Sequence, residues 1–270
     1  FNSIEDIKSQ FMAAIPNIEK TMVFSGDYIA SLELFHQFRE GSKNKWFMYG
    51  EKTELGPKII SSNEFGSKFE LQFNKENLIF ETNLIGRHNI LNLSAVLIYA
   101  LSEGFSHTEL SQHVKDLHMV KRRQEVRGTY HGAIVIDDLA HHPRAVELTL
   151  DGIITKYPNK KVHVIMEPNS ATARSAIFQQ EFTDSLNQAA SVIFTKPTRP
   201  TSVKNVGDLD IFKIIDTVKK SGRPGSVVGN LNELMSELDK IADQNNVILV
   251  LSNGTCLGLW ESDFLKNLKN

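Results

Sequence analysis

The sequence predicts an α/β protein. Its C-terminal half reads as a Rossmann-like, doubly wound, mainly parallel sheet, preceded by part of a second α/β unit with a small antiparallel sheet. Three observations carry this. From Thr129 on, continuous apolar runs at 133–136, 162–166, 191–194, 226–228 and 247–251 alternate with helical patterns near 144–155, 178–188, 208–220, 231–242 and 256–268. Strands that are apolar throughout are strands buried on both faces, as in a parallel sheet with helices on either side. Upstream, residues 68–73 instead alternate polar and apolar, the mark of a strand with one wet face.

In chain order, Ser3 with Asp6 three residues on reads as a helix start, and Ile4, Ile7, Phe11 and Ile15 fall on one face before Pro16 stops the run. A strand at 21–24 and a helix over 28–38, closed by Gly41, follow. Residues 45–84 read as one small, mostly antiparallel sheet, with a hairpin turn at Asn74-Lys75-Glu76-Asn77. Helical periodicity returns over 88–101. Ser106 and Glu109 form a capping box for a helix reaching about Leu117. The domain boundary is expected near Met119, giving units 1–118 and 119–270. There is no internal repeat and no low-complexity tract.

Composition removes several function classes. Hydrophobic residues make up 41% of the 270 and charged residues 23%, an ordinary globular balance. A chain of this length should bury roughly three quarters of its unfolded surface, so it needs no disulfide or metal staple. Thirty basic against thirty-two acidic residues, a net charge of −2, argue against a nucleic acid or an anionic membrane as partner. The lone cysteine, Cys256, excludes a disulfide framework and a cysteine zinc cluster, and it fits a reducing compartment. No apolar run is long enough for a membrane span. A start at Phe1 reads as a fragment or a processed chain, and no G-x-x-x-x-G-K-[ST] phosphate loop occurs in it.

In open parallel sheets ligands sit beyond the carboxyl ends of the strands. Three segments occupy that position here: Asp137-Asp138-Leu139-Ala140-His141-His142-Pro143, Glu167-Pro168-Asn169-Ser170, and Ser252-Asn253-Gly254. They are expected to converge. Asp138 suits a pair of ribose hydroxyls, and the alternative is an acid capping a helix. His141 and His142 suit phosphate or metal contacts, but adjacent histidines diverge and no third ligand is evident, so no metal site is assigned. Ser252-Asn253-Gly254 reads as a strand end opening a helix, whose free N–H groups would hold a carboxylate or phosphate or be capped locally. Asn89 and Asn92 share a helix face, and an amide's donor and acceptor match an adenine edge. Arg122, Arg123 and Arg127 have the guanidinium fork that phosphate favours, or form a solvated face.

Taken in order, Gly86-Arg87-His88-Asn89-Ile90-Leu91-Asn92, Arg122-Arg123-Gln124-Glu125-Val126-Arg127-Gly128, the Asp137–Pro143 segment, Glu167-Pro168 with Ser170, Arg174 and Phe178-Gln179, and Ser252-Asn253-Gly254 resemble the Mur ligases, in particular their murein peptide branch. The resemblance implies the end of a central ATP-binding domain and a whole C-terminal domain. It implies an ATP-dependent ligase that joins UDP-N-acetylmuramate to a cell-wall peptide or amino acid through an acyl phosphate, in peptidoglycan recycling, and it narrows the reducing compartment to the cytoplasm. Under it, His88, Asn89 and Asn92 meet adenine, Arg123 meets phosphates, Asp138 holds ribose, and His141 lies near phosphates or the incoming substrate. Glu167, Asn169, Ser170, Arg174, Ser252, Asn253 and Gly254 would face the amine. ATP and magnesium are the implied cofactors, with the magnesium ligands and the UDP site upstream of Phe1, so that this chain alone would not turn over.

The sequence also departs from that pattern. Asn169 stands where the ligases carry an arginine, and Thr255-Cys256-Leu257 replaces Gly-Phe-Gly in their closing loop. These changes motivate the rival expectation of a nucleotide- or peptide-binding module that no longer turns over. A metal-dependent hydrolase using Asp138, His141 and His142 is the weakest reading.

Overall fold

The structure, a computed structural model, describes residues 3–117, 120–171, 173–197, 200, 202 and 206–269. The chain divides into two compact units, Phe1–Leu117 and His118–Asn270; Met119 itself lies outside the described residues.

In the first unit, α1 (Ile4–Ala14) starts where Ser3 accepts the Asp6 amide at 3.1 Å. Its apolar stripe is wetter than the pattern suggests. No α1 residue is buried, Ile4 and Phe11 are each 56% exposed, and only Ile15 beyond it is covered. Pro16 does not end the coil at once, because it sits in one 3-10 turn, Ile15–Asn17. Strand β1 (Thr21–Ser25), helix α2 (Ile29–Arg39) and strand β2 (Lys45–Tyr49) follow. Leu34 of α2 joins Ile15 and Met22 in a small core, where Phe24 stacks on Trp46 at 5.3 Å.

Strand β2 corrects the expectation of a single antiparallel sheet over 45–84. It pairs in parallel with β1, from Thr21↔Lys45 to Ser25↔Tyr49. The run Trp46-Phe47-Met48-Tyr49 lacks polar alternation, which is the parallel-strand signature. The antiparallel sheet consists of β3 (Lys58–Asn63), β4 (Gly66–Phe73) and β5 (Glu76–Thr82), in the order β3-β4-β5. Strand β3 carries too little pattern to read from sequence, being a mostly exposed edge. The hairpin from β4 to β5 turns at Asn74 and Lys75, with φ of 50° and 68°, the paired positive values that a two-residue turn needs to match strand twist. Phe69, Leu71, Phe73, Leu78 and Phe80 pack on Ile90, Leu93 and Leu97 of α3 (Arg87–Ser102). Helix α4 (His107–His113) has the expected capping box but ends four residues short of Leu117.

The second unit is β6 (Glu125–Tyr130), β7 (Ala133–Asp138), α5 (Pro143–Lys156), β8 (Lys161–Glu167), α6 (Gln179–Ser185), β9 (Ser191–Thr195), α7 (Ile211–Lys220), β10 (Gly225–Val228), α8 (Leu231–Ile241), β11 (Asn246–Ser252) and α9 (Asp263–Lys266). Its sheet runs β10-β9-β8-β11-β7-β6, parallel except for β6 against β7. Strand β11 shows why it reads as continuously apolar: Val247, Leu249 and Leu251 face a core with α5, α6 and α7, while Ile248 and Val250 face α8 and α9. The doubly wound architecture is therefore present. Strand β6 escaped the sequence reading because it is an edge, half polar, with an irregularity between Val126 and Gly128. The helix expected over 256–268 is broken. Cys256, Leu257 and Gly258 have φ of 52°, 56° and 83°, which no helix accepts, leaving a 3-10 turn (Leu259–Glu261) and the four-residue α9. Among the described residues no helix is long and apolar enough to cross a membrane.

Candidate functional site

Strands β8, β11 and β7 are neighbours and parallel, so their carboxyl ends lie side by side. Leu251 pairs with Asp138 and Ser252 with Glu167. The three candidate loops therefore meet at one edge of the second unit, where an open α/β sheet presents its ligand crevice.

Asp138 is 2% exposed, and each oxygen takes a backbone N–H: Oδ1 from Ala140 at 2.7 Å and Oδ2 from Gln124 at 2.8 Å. Burial pushes its pKa up, and the two amides and nearby Arg123 pull against that shift. The carboxylate thus organises the loops on both sides of it. It is not the helix cap; that position belongs to His142, whose Nδ1 accepts the Arg144 amide at 3.4 Å ahead of Pro143. Burial and the neighbouring His141 hold the His142 pKa low, which keeps the ring neutral and able to accept. His141 is half-buried, with Nδ1 2.7 Å from the Leu139 carbonyl oxygen.

The three arginines separate. Arg122 and Arg127 do not form a free phosphate fork, because both turn inward to Asp137, at 3.1 and 3.5 Å. Asp137 is fully buried. Burial pushes its carboxyl up while the two guanidinium groups pull it down, and leaving so buried a carboxylate with neither of them would cost about 3–5 kcal/mol. Arg127 also lies over the Trp260 ring at 5.1 Å. Arg123 is the exposed one.

On the neighbouring strands, the Ser252 hydroxyl donates to Glu167 Oε2, and the Gly254 amide donates to Ser252 Oγ at 3.0 Å. A side chain at Gly254 would have to push its neighbours aside: a Cβ would lie 2.5 Å from Asn169 Nδ2 and 2.6 Å from Glu167 Oε2. Glu167, Asn169, Ser252 and Gly254 therefore form one tight cluster. Asn253 is half-buried, and its Oδ1 has no partner among the described residues. No helix begins at this segment, so the expected helix N-terminus is absent. Ser170 accepts the Ala173 amide at 3.0 Å. Arg174 is 4% exposed and donates to the carbonyls of Asn169 and Pro200, so its guanidinium supports the loop. It also lines a cavity of about 600 Å³ with Lys196, Pro200, Asp208 and Phe212.

In the first unit, His88, Asn89 and Asn92 lie at the start of α3, entered through Gly86 at φ 92°. Asn89 donates its amide to the Ile85 carbonyl at 2.7 Å, which leaves its oxygen, whereas Asn92 is exposed. His88 is half-buried.

The sequence reading missed Asp137 and the inward turn of Arg122. The available signal was the Asp137-Asp138 doublet ending an apolar strand: successive residues point to opposite faces, so the two carboxylates have different partners. No group of three His, Cys, Asp or Glu among the described residues is placed to hold a metal.

Two family models match the chain: the Mur ligase middle domain over residues 1–100 and the Mur ligase, glutamate ligase domain over 122–254. Among curated proteins, a UDP-N-acetylmuramate–L-alanine ligase of Streptococcus equi subsp. zooepidemicus is 30% identical over 271 residues, covering 90% of this chain and 58% of that protein. The chain thus spans a little over half the length of the curated relatives it matches. Among solved structures, UDP-N-acetylmuramate–alanine ligase of Thermotoga maritima is similar with TM-score 0.71 and 21% identity, over 95% of this chain and 53% of that one. A murein peptide ligase of Psychrobacter arcticus is similar with TM-score 0.63 and 22% identity, over all of this chain and 56% of that one.

Proposed function

The chain belongs to the Mur ligase family, with the middle and C-terminal domains of that family in order, and on that premise we propose that it is the nucleotide- and amine-handling part of an ATP-dependent ligase acting on UDP-N-acetylmuramate. The observation that carries the reading is the edge of the second unit where Asp138, Glu167 and Ser252 end adjacent parallel strands. In the proposed reaction a substrate carboxylate oxygen attacks the γ-phosphorus of ATP, ADP leaves, and an amine nitrogen displaces phosphate from the acyl phosphate and loses a proton. Such chemistry depends on positioning and charge neutralisation.

Under this reading the exposed Asn92, the free oxygen of Asn89 and His88 bind adenine, and Arg123, the outward arginine, takes phosphate. Asp138 holds ribose while it anchors the loops of Gln124 and Ala140. His141 approaches the phosphates. Glu167, Asn169, Ser170, Ser252, Asn253 and Gly254 form the amine side, with Arg174 as support. Mur ligases use ATP with magnesium; the described residues offer no cluster fit for that ion, so no step here is drawn through it. The amine is a cell-wall peptide or an amino acid. The murein peptide resemblance favours the peptide, with a place in recycling in the cytoplasm, and the names of the curated relatives favour L-alanine.

One observation favours a second reading, a binding module without turnover. Leu257 keeps a left-handed backbone, φ 56°, where the ligase motif has glycine, so a side chain now occupies a turn built for close approach. The test is phosphate release by the full-length protein with magnesium-ATP, UDP-N-acetylmuramate, and either L-alanine or L-alanyl-γ-D-glutamyl-meso-diaminopimelate. Release that requires both the UDP substrate and one amine is expected, and the productive amine identifies the branch. ATP binding without release under every combination would replace the ligase by the binding module.

A further inference from the structure

We propose that Arg122 is a positioning residue that sets the amine-side turn, rather than a phosphate ligand; the kinetic part of this rests on the ligase reading above. Its guanidinium donates Nε to Asp137 at 3.1 Å and one terminal nitrogen to two carbonyls, Ser252 at 2.7 Å and Gly254 at 3.1 Å. Its backbone ties two further segments: its amide donates to Glu125 at 2.7 Å, and its carbonyl accepts the Leu139 amide at 2.9 Å. One residue thus links the end of β7, the loop leading to His141, and the turn after β11.

The need for such a brace follows from the turn itself. No helix follows Ser252 to fix it, and further on Cys256 and Leu257 take φ of 52° and 56°, values that side chains disfavour. The carbonyls of Ser252 and Gly254 are held from inside by Arg122, while the side-chain ends of Glu167 and Asn169 fill the space that a Cβ on Gly254 would need. Arg122 adopts φ 59° to reach them, a conformation that costs energy and marks the side-chain direction as constrained. The planar fork holds the carboxylate and the two carbonyls from two different nitrogens at a fixed angle; a lysine ammonium also has three donors but gathers them on one atom at the end of a flexible stem. Asp137 supplies the anchor. Its buried Oδ2 faces Arg122 and Arg127, and Glu125 is the other acid of the group.

The test compares Arg122→Lys with the unsubstituted full-length protein by two readouts. Hydrogen exchange at the Asn253, Gly254 and Thr255 amides should quicken by about tenfold, the size of one charge-assisted hydrogen bond, with exchange in β8 and β9 unchanged. In steady-state kinetics the KM for the amine should rise by about tenfold while the KM for ATP stays within about twofold. Unchanged exchange at those amides overturns the proposal, as does an ATP KM that rises as far as the amine KM. Should Arg122→Lys not fold, Asp137→Asn, which keeps the arginine and removes its anchor, decides by the same exchange measurement. If the unsubstituted protein shows no turnover, the ligase reading fails while the exchange result still judges the brace.

Discussion

The two units meet one requirement to different degrees: a parallel sheet needs both faces covered. In the second unit β9 is buried at every residue and β11 at all but its first, with helices on either side. In the first unit the parallel pair β1–β2 is only partly covered, and large apolar side chains stay in water, Ile29 at 77% and Phe65 at 81%. The difference locates the stability of the chain. The second unit has two apolar layers of its own, whereas the first relies on a hairpin laid on α3 and a small cluster around Trp46.

Each unit holds one of the two tryptophans, Trp46 and Trp260, so single-tryptophan variants follow them separately in urea. The largest expected effect is Phe194→Ala, which empties a fully buried site of the second core and should cost about 3–5 kcal/mol, lowering the Trp260 midpoint and leaving that of Trp46 in place. A common shift would show that the units unfold together. Gly254→Ala forces a methyl onto Asn169 and Glu167 and should cost about 1–3 kcal/mol by the same probe; no shift would mean that the cluster yields freely. In the first unit Ser106→Ala removes the capping-box oxygen of α4 and should cost about 1 kcal/mol, read as a lower Trp46 midpoint. The smallest effect is with pH and belongs to the second unit. Burial holds the pKa of His163 and His142 below the ordinary 6.5, so the unfolded chain takes protons first. Their contribution to stability is whole above about pH 6.5 and is lost as pH falls through the lowered values. The Trp260 midpoint should hold above about pH 6.5 and fall as pH drops below it, and His163→Gln should flatten that fall.

Much of this was legible in the residues. The five parallel strands of the second unit and the capping box follow from local pattern alone, as does a hairpin turn at Asn74, although it is two residues long and Glu76 and Asn77 already belong to β5. Two edge strands were not legible: β3 and β6 have one partner each and too little burial to impose a pattern. Nor was the partner of β2, because a five-residue apolar run states that it is buried and not beside what. At the site, sequence places Asp138, Glu167 and Ser252 at strand ends, and sheet order brings them together. It does not disclose that Arg122 points inward while Arg123 points out. Arg122 has a left-handed backbone and Arg123 does not, a difference that residue type alone does not announce.

The Cys256 sulfur is sealed in the second core, and burial pushes its thiol far above the usual range. With one cysteine in the whole chain, a maleimide or disulfide reagent therefore finds no target in the folded molecule. Every adduct records a moment when the core around Cys256 has come open, so the rate of alkylation becomes a clock for that opening, read from a single atom and without any substitution.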